Sequence, residues 1–128
     1  MNDETQIWLD YSIENLQSAE VLLASELYNP CLQNVQQCVE KALKSLLIEN
    51  SIKLKKTHSI NELKNILKNN GIEVDISDDE CDFLDSIYLP SKYPFGNVLP
   101  FFEPDQDICN QSIATANRVL NILQNILK

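Results

Sequence analysis

Glycine is nearly missing from this chain, with two in 128 residues, Gly71 and Gly96. No glycine-rich loop can therefore cradle a nucleotide phosphate. Proline is almost as scarce outside one segment, since four of the five prolines lie between Leu89 and Asp105. The rest of the chain thus carries few helix breakers. There is one histidine, His58, and one arginine, Arg118. A single histidine cannot complete a familiar zinc pattern, and the four cysteines (Cys31, Cys38, Cys81, Cys109) include no Cys-x-x-Cys pair. Cys31 and Cys38 would sit roughly 10 Å apart along one helix, too far for a disulfide. All four read as reduced residues in or near the core. No metal or cofactor is expected. Gly-x-Ser-x-Gly and His-Glu-x-x-His are also absent. No run of about 18 apolar residues is available to span a bilayer. The N-terminus, MNDETQ, has neither a basic nor an apolar leader region, which leads us to expect a cytoplasmic protein without a signal peptide.

Positive charge is likewise in short supply. Ten basic residues face nineteen acidic ones, giving a formal net charge of −9 and a pI near 4.4. A broad nucleic-acid or anionic-membrane footprint is disfavoured, because phosphates need clustered positive charge. The deficit is uneven, however. Seven of the ten bases fall between Lys41 and Lys68, whereas ten of the nineteen acids fall between Glu73 and Asp107. A local basic face is compatible with that distribution, and so is a set of solvated helix faces.

Helical signals dominate what is present. Apolar residues recur at a spacing near 3.6, and β signals are few. A first helix is expected over residues 3–27, with Trp8, Tyr11, Leu16, Ala19, Leu22, Leu23 and Leu27 on its buried side. A second should run over about 30–50, with Asn29 as N-cap and Pro30 at its first position. Val35, Val39, Ala42, Leu43, Leu46 and Leu47 make its buried stripe. Gln33, Gln37, Lys41 and Lys44 then point outward, with Glu40 reaching Lys44 at i, i+4. Two capping boxes, Ser59/Glu62 and Ser77/Glu80, should open a third and a fourth helix. The third should end at Asn69–Gly71, and the fourth should carry Phe83, Leu84, Ile87 and Tyr88. A last helix is expected over 105–127, with Ile108, Ala116, Val119, Leu123 and Ile126 inward, Leu120 and Leu127 widening that stripe, and Asn110, Asn117, Asn121 and Gln124 opposite. The length fits one domain, 1–128. The fold class is all-α: an antiparallel up-and-down bundle of four main helices plus a shorter fifth, with a proline- and aromatic-rich loop at about 89–104.

That loop belongs to the stretch YLPSKYPFGNVLPFFEP, residues 88–104. Its phenylalanines are expected to close one end of the bundle, leaving Lys92 and Tyr93 at the rim to meet an anion and stack on a base. His58, in KKTHSINEL, has two readings. It is either a proton donor or phosphate ligand beside Lys55 and Lys56, or a hydrogen-bonding residue that fixes the entry to the third helix.

NVQQCVEKALKSLLIEN, then KTHSINEL, then SKYP after a fourth helix, together resemble the HEPN domain (higher eukaryote and prokaryote nucleotide-binding). The likeness extends from YSIENLQSAEVLL into the last helix. It implies a helical bundle, often dimeric, that frequently works beside a minimal nucleotidyltransferase, sometimes as a toxin–antitoxin pair. Many active relatives are metal-independent ribonucleases marked by an arginine followed four to six residues later by a histidine. This chain departs from that signature. Lys92 stands where relatives place the arginine before Tyr-Pro, five residues on is Asn97, and Arg118 has no histidine after it. Asparagine does not shuttle protons near neutral pH, and lysine lacks the bidentate fork of arginine.

The resemblance therefore implies a non-catalytic interaction protein. Its candidate nucleotide- or RNA-phosphate contact comprises Lys41, Lys44, His58, Lys92 and Tyr93. Its expected partners are a minimal nucleotidyltransferase and a second copy of itself, with no membrane. The alternatives are a divergent ribonuclease toxin using His58 and Lys92, and a pure protein-interaction scaffold.

Overall fold

A computed structural model describes residues 1–92 and 103–127, with side chains described over 1–88 and 103–127. Five helices follow in order: α1 (Asp3–Ala24), α2 (Tyr28–Glu49), α3 (Ile60–Asn69), α4 (Asp78–Lys92) and α5 (Gln106–Ile126). No strand occurs among the described residues. The expected all-helical bundle is the observed one.

α2 is the central element. It packs against α1, α5, α3 and α4, while α1 also meets α5 and α3 meets α4. Its buried set accordingly runs almost all the way round the helix and includes Val35, Val39, Leu43, Leu46 and Leu47 together with the polar Gln36, Glu40, Lys44 and Ser45. Lys44 was expected to point outward; it is 6% exposed. The reason is that α2 is packed round most of its circumference, and its partly exposed stripe runs through Gln33, Gln37 and Lys41 but not Lys44. α1 shows the opposite case. It buries only a narrow strip (Thr5, Leu9, Ser12, Leu16, Ala19) against its neighbours. Tyr11 and Leu27, expected inside, are 55% and 50% exposed. Ile126 at the end of α5 is also exposed, while Leu127 beside it is buried.

The helix ends follow local chemistry. Asn2 caps α1 by accepting from the Thr5 N–H at 2.7 Å, and Asp105 caps α5 by accepting from the Ile108 N–H at 2.8 Å. The Asn2 N–H also donates to Glu49 at 2.9 Å, which ties the start of α1 to the end of α2. Ser77 and Glu80 form the full reciprocal capping box of α4. Ser59 accepts from the Glu62 N–H, but the Glu62 carboxylate turns instead to Thr57 and Lys55, so that box is half made. α2 starts two residues earlier than expected. Leu27 is its N-cap residue without a side-chain bond, and Pro30 falls in the first turn, where no N–H is needed.

α4 also differs from expectation, for it continues through Pro90 to Lys92. Proline has a helix-compatible φ, and so close to a helix end its missing N–H removes only one bond. The loop expected from about 89 therefore begins later. Tyr93, expected at the rim, and Phe95, Phe101 and Phe102, expected to cap the bundle end, lie outside the described residues.

α1, α2 and α3 stop in the same way. The N–H two residues past the cap residue returns to the third-last helical carbonyl: Leu27 to Leu22, Ile52 to Leu47 and Ile72 to Leu67, each at 2.9 Å. The residue before each donor has a left-handed backbone: Glu26 (φ 61), Ser51 (φ 57) and Gly71 (φ 80). Only Gly71 adopts it without a Cβ penalty. Ser51→Gly should therefore raise the unfolding free energy by about 0.5–1 kcal/mol, read as a higher urea midpoint at constant slope. An unchanged or lower midpoint would show that the turn stores no such strain.

The four cysteines are free and buried. Burial pushes the Cys31 thiol up to about 12 and those of Cys38 and Cys81 up to about 11, which keeps them protonated and poorly nucleophilic. Among the described residues, no helix is long and apolar enough to cross a membrane.

Candidate functional site

Gln36, Glu40 and Lys44 recur every four residues along α2 and so line one stripe of it. All three are buried. Glu40 is the hub. Its Oε2 accepts from Lys44 Nζ at 3.0 Å, and its Oε1 accepts from Gln36 Nε2 at 3.2 Å. The same Oε1 lies 3.1 Å from Nδ1 of His58. The Gln36 amide also donates to the His58 carbonyl at 3.2 Å, so one side chain holds both the carboxylate and the backbone of the residue it serves. A charge removed from water is tolerated only when paired and hydrogen-bonded, and these donors meet that condition.

His58 is thus not a lone histidine. Its side chain is 48% exposed, against 4% for Glu40. The imidazole stacks on Tyr88 of α4, with ring centroids 4.4 Å apart and planes 19° from parallel. The backbone around it is pinned from both sides. The Ser59 N–H donates to Thr57 Oγ1 at 3.1 Å, and Asp85 of α4 accepts from Ser59 Oγ at 2.9 Å and from the Asn61 N–H at 3.3 Å. Asp85 also accepts from the Ile60 N–H, so a carboxylate on one helix serves the positive end of another. On the far side of Glu40, Lys44 Nζ lies 5.8 Å from the ring centroid of Trp8, the only tryptophan.

The other expected site residues separate. Lys41 turns toward α1, donating to Asn15 at 2.8 Å and sitting 5.7 Å from the Tyr11 ring. Lys44 is consumed by Glu40 and buried, so it is not offered to a ligand. Lys92 is the last residue of α4, one helical turn beyond Tyr88. Tyr93 lies outside the described residues. Lys55, near His58 in sequence, pairs with Glu62 while remaining 64% exposed.

Sequence reasoning missed Glu40, Gln36 and Tyr88 as members of the site. Glu40 looked like half of a solvent-exposed helix pair, and its contact with His58 spans eighteen residues and two elements. One signal was available: charged and amide residues sat among Leu and Val on a helix with too many apolar positions to have a broad wet face.

A second polar joint fastens α4 to α5. Glu80 accepts from Arg118 and, at 2.8 Å, from Thr115 Oγ1. The Arg118 guanidinium above all, aided by Ser77 and Thr115, holds the Glu80 carboxyl well down, at about 2. A carboxylate with a depressed folded-state value adds stability that is complete above its ordinary value of 4.5 and fades as pH falls through about 2. The urea midpoint should therefore drop across that window, and Glu80→Gln should flatten the drop. A wild-type profile unaltered by that substitution would remove Glu80 from the acid response.

Comparison with known proteins agrees with this architecture. The HEPN domain family model matches residues 5–126. The chain belongs to the HEPN family. The chain is similar to a Methanocaldococcus jannaschii protein described as "Putative toxin MJ1304", 26% identical over 133 residues that cover 96% of this chain and 88% of that one. The crystal structure of ST0689, an archaeal HEPN homologue, superposes with a TM-score of 0.73 at 27% identity, covering 97% of this chain and 98% of the other. The crystal structure of TT1696 from Thermus thermophilus gives a TM-score of 0.77 at 24% identity over the same shares, a likeness of fold.

Among the described residues, no group of three or more His, Cys, Asp or Glu side chains is placed to hold a metal ion.

Proposed function

We propose that this HEPN protein is the RNA- or nucleotide-binding member of a toxin–antitoxin-type pair. It works in the cytoplasm as a homodimer beside a minimal nucleotidyltransferase, and it contacts its ligand without cleaving it. The observation that carries the binding part is the half-exposed imidazole of His58, stacked on Tyr88 and anchored by buried Glu40. Stacked rings with cationic neighbours suit an unpaired base and its phosphate. Lys55 and Lys56 precede His58 in the chain, and Lys92 follows Tyr88 by one turn. The similarity to a protein described as a toxin supports the pairing, and the family resemblance supports the partner and the dimer.

Fluorescence anisotropy with labelled single-stranded RNA and with mononucleotides tests the reading. Wild-type protein should bind, and His58→Ala should weaken binding about tenfold or more. Absence of binding to every probe, with a stable complex to a nucleotidyltransferase, would replace the proposal by pure scaffolding.

One observation favours a second reading, RNA cleavage. A carboxylate on Nδ1 is the arrangement that orients an imidazole for proton transfer at its other nitrogen. A gel of the same RNA incubated in chelator decides between the two. Intact RNA supports the non-cleaving reading; fragments that disappear with His58→Ala support the second.

A further inference from the structure

Glu40 does more than hold His58 in place, because an ionised carboxylate can only accept hydrogen bonds. With Lys44 and Gln36 already donating to it, Glu40 leaves Nδ1 of His58 one compatible state, the protonated one. In an uncharged imidazole the second nitrogen, Nε2, then carries a lone pair. The ring gives one face to Tyr88 and its Nδ1 edge to Glu40, yet 48% of the side chain stays exposed. The Nε2 edge is taken up by neither of these two contacts.

An outward acceptor does not suit a phosphate oxygen, which is itself an acceptor. It suits a donor. Along a nucleic-acid strand, the donor that occurs at every residue irrespective of base is the ribose 2′-hydroxyl, which DNA lacks. Resting on the RNA-binding reading above, we infer that His58 Nε2 accepts a hydrogen bond from a ribose 2′-hydroxyl, so that this site selects ribose over deoxyribose. Glu40 is the positioning residue that imposes the required tautomer, and Gln36 secures both. The phosphate contacts then fall to the exposed lysines, and His58 reads the sugar.

Two measurements on the full chain test this. The first is a long-range proton–nitrogen NMR correlation at about pH 8, which reports which imidazole nitrogen carries the proton. Wild type should show a protonated Nδ1 and a bare Nε2, and Glu40→Gln should lose that preference. The second compares the anisotropy of matched short oligoadenylates with ribose or deoxyribose. Wild type should favour the ribose strand by about tenfold, the worth of one good hydrogen bond. His58→Phe keeps a ring to stack on Tyr88 but has no acceptor, so it should still bind while its preference falls to about one. That variant leaves the Glu40–Lys44 pair intact, which covers the case where Glu40→Gln does not fold. Equal affinity of wild type for both strands, or a proton on Nε2, overturns the inference and leaves the binding reading standing. Failure to bind either strand overturns both.

Discussion

Glu40→Ala should lower the unfolding free energy by about 3–5 kcal/mol, the largest effect of any single polar substitution here. The cost does not measure the strength of the Glu40–Lys44 bond. It measures what is left behind. Lys44 has 8% of its side chain exposed and is paired with Glu40. Without the carboxylate, an ammonium stays in the bundle interior beside the Trp8 ring. The Gln36 amide loses an acceptor as well. A double substitution separates these causes. Glu40→Leu combined with Lys44→Met removes both charges and refills the volume, and should recover most of the loss. Urea unfolding followed by circular dichroism gives both numbers. A single-mutant cost below about 1 kcal/mol would mean that Lys44 escapes to water and the pair is not buried in solution.

Leu43→Ala should cost about 2–5 kcal/mol, through lost burial plus the cavity left behind. Leu43 is 0% exposed on the helix that every other helix touches. Four neighbours cannot all move inward at once, so little of the void can collapse. Ile7→Ala is the matched control. Ile7 is 52% exposed on α1, and its truncation should fall within about 0.5 kcal/mol of wild type. Similar costs at the two positions would contradict the central placement of α2.

These sites also mark where the sequence was legible. Ends were readable because capping is local: Ser59, Ser77 and Gly71 act on backbone groups within a turn of themselves. The fold class followed from the 3.6-residue spacing and the scarcity of breakers. Faces were harder to read. A wheel misplaces Lys44 on α2, although Gln33, Gln37 and Lys41 are partly exposed as expected, and it overestimates α1, whose buried strip is too narrow to include Tyr11. The connection after α4 starts later than the expected 89 or so, because the end of the helix carries Pro90. The site was the least legible part. His58 was visible as the only histidine, but its character depends on a carboxylate from α2 and a ring from α4, and three-dimensional packing alone brings them together. Lys41 and Lys44 show the converse case. Proximity in sequence suggested a shared cationic patch, yet one turns to α1 and the other is neutralised indoors.

The position of α2 at the hub bears on how the molecule can fluctuate. Any excursion that exposes its backbone must first pull away four neighbours, which amounts to losing the whole native state. Amide hydrogens from Val35 to Leu47 should thus trade with deuterium only through global unfolding. The shorter α3, packed against α2 and α4, can open at lower cost from its far end, while Asp85 holds its first turn beside His58.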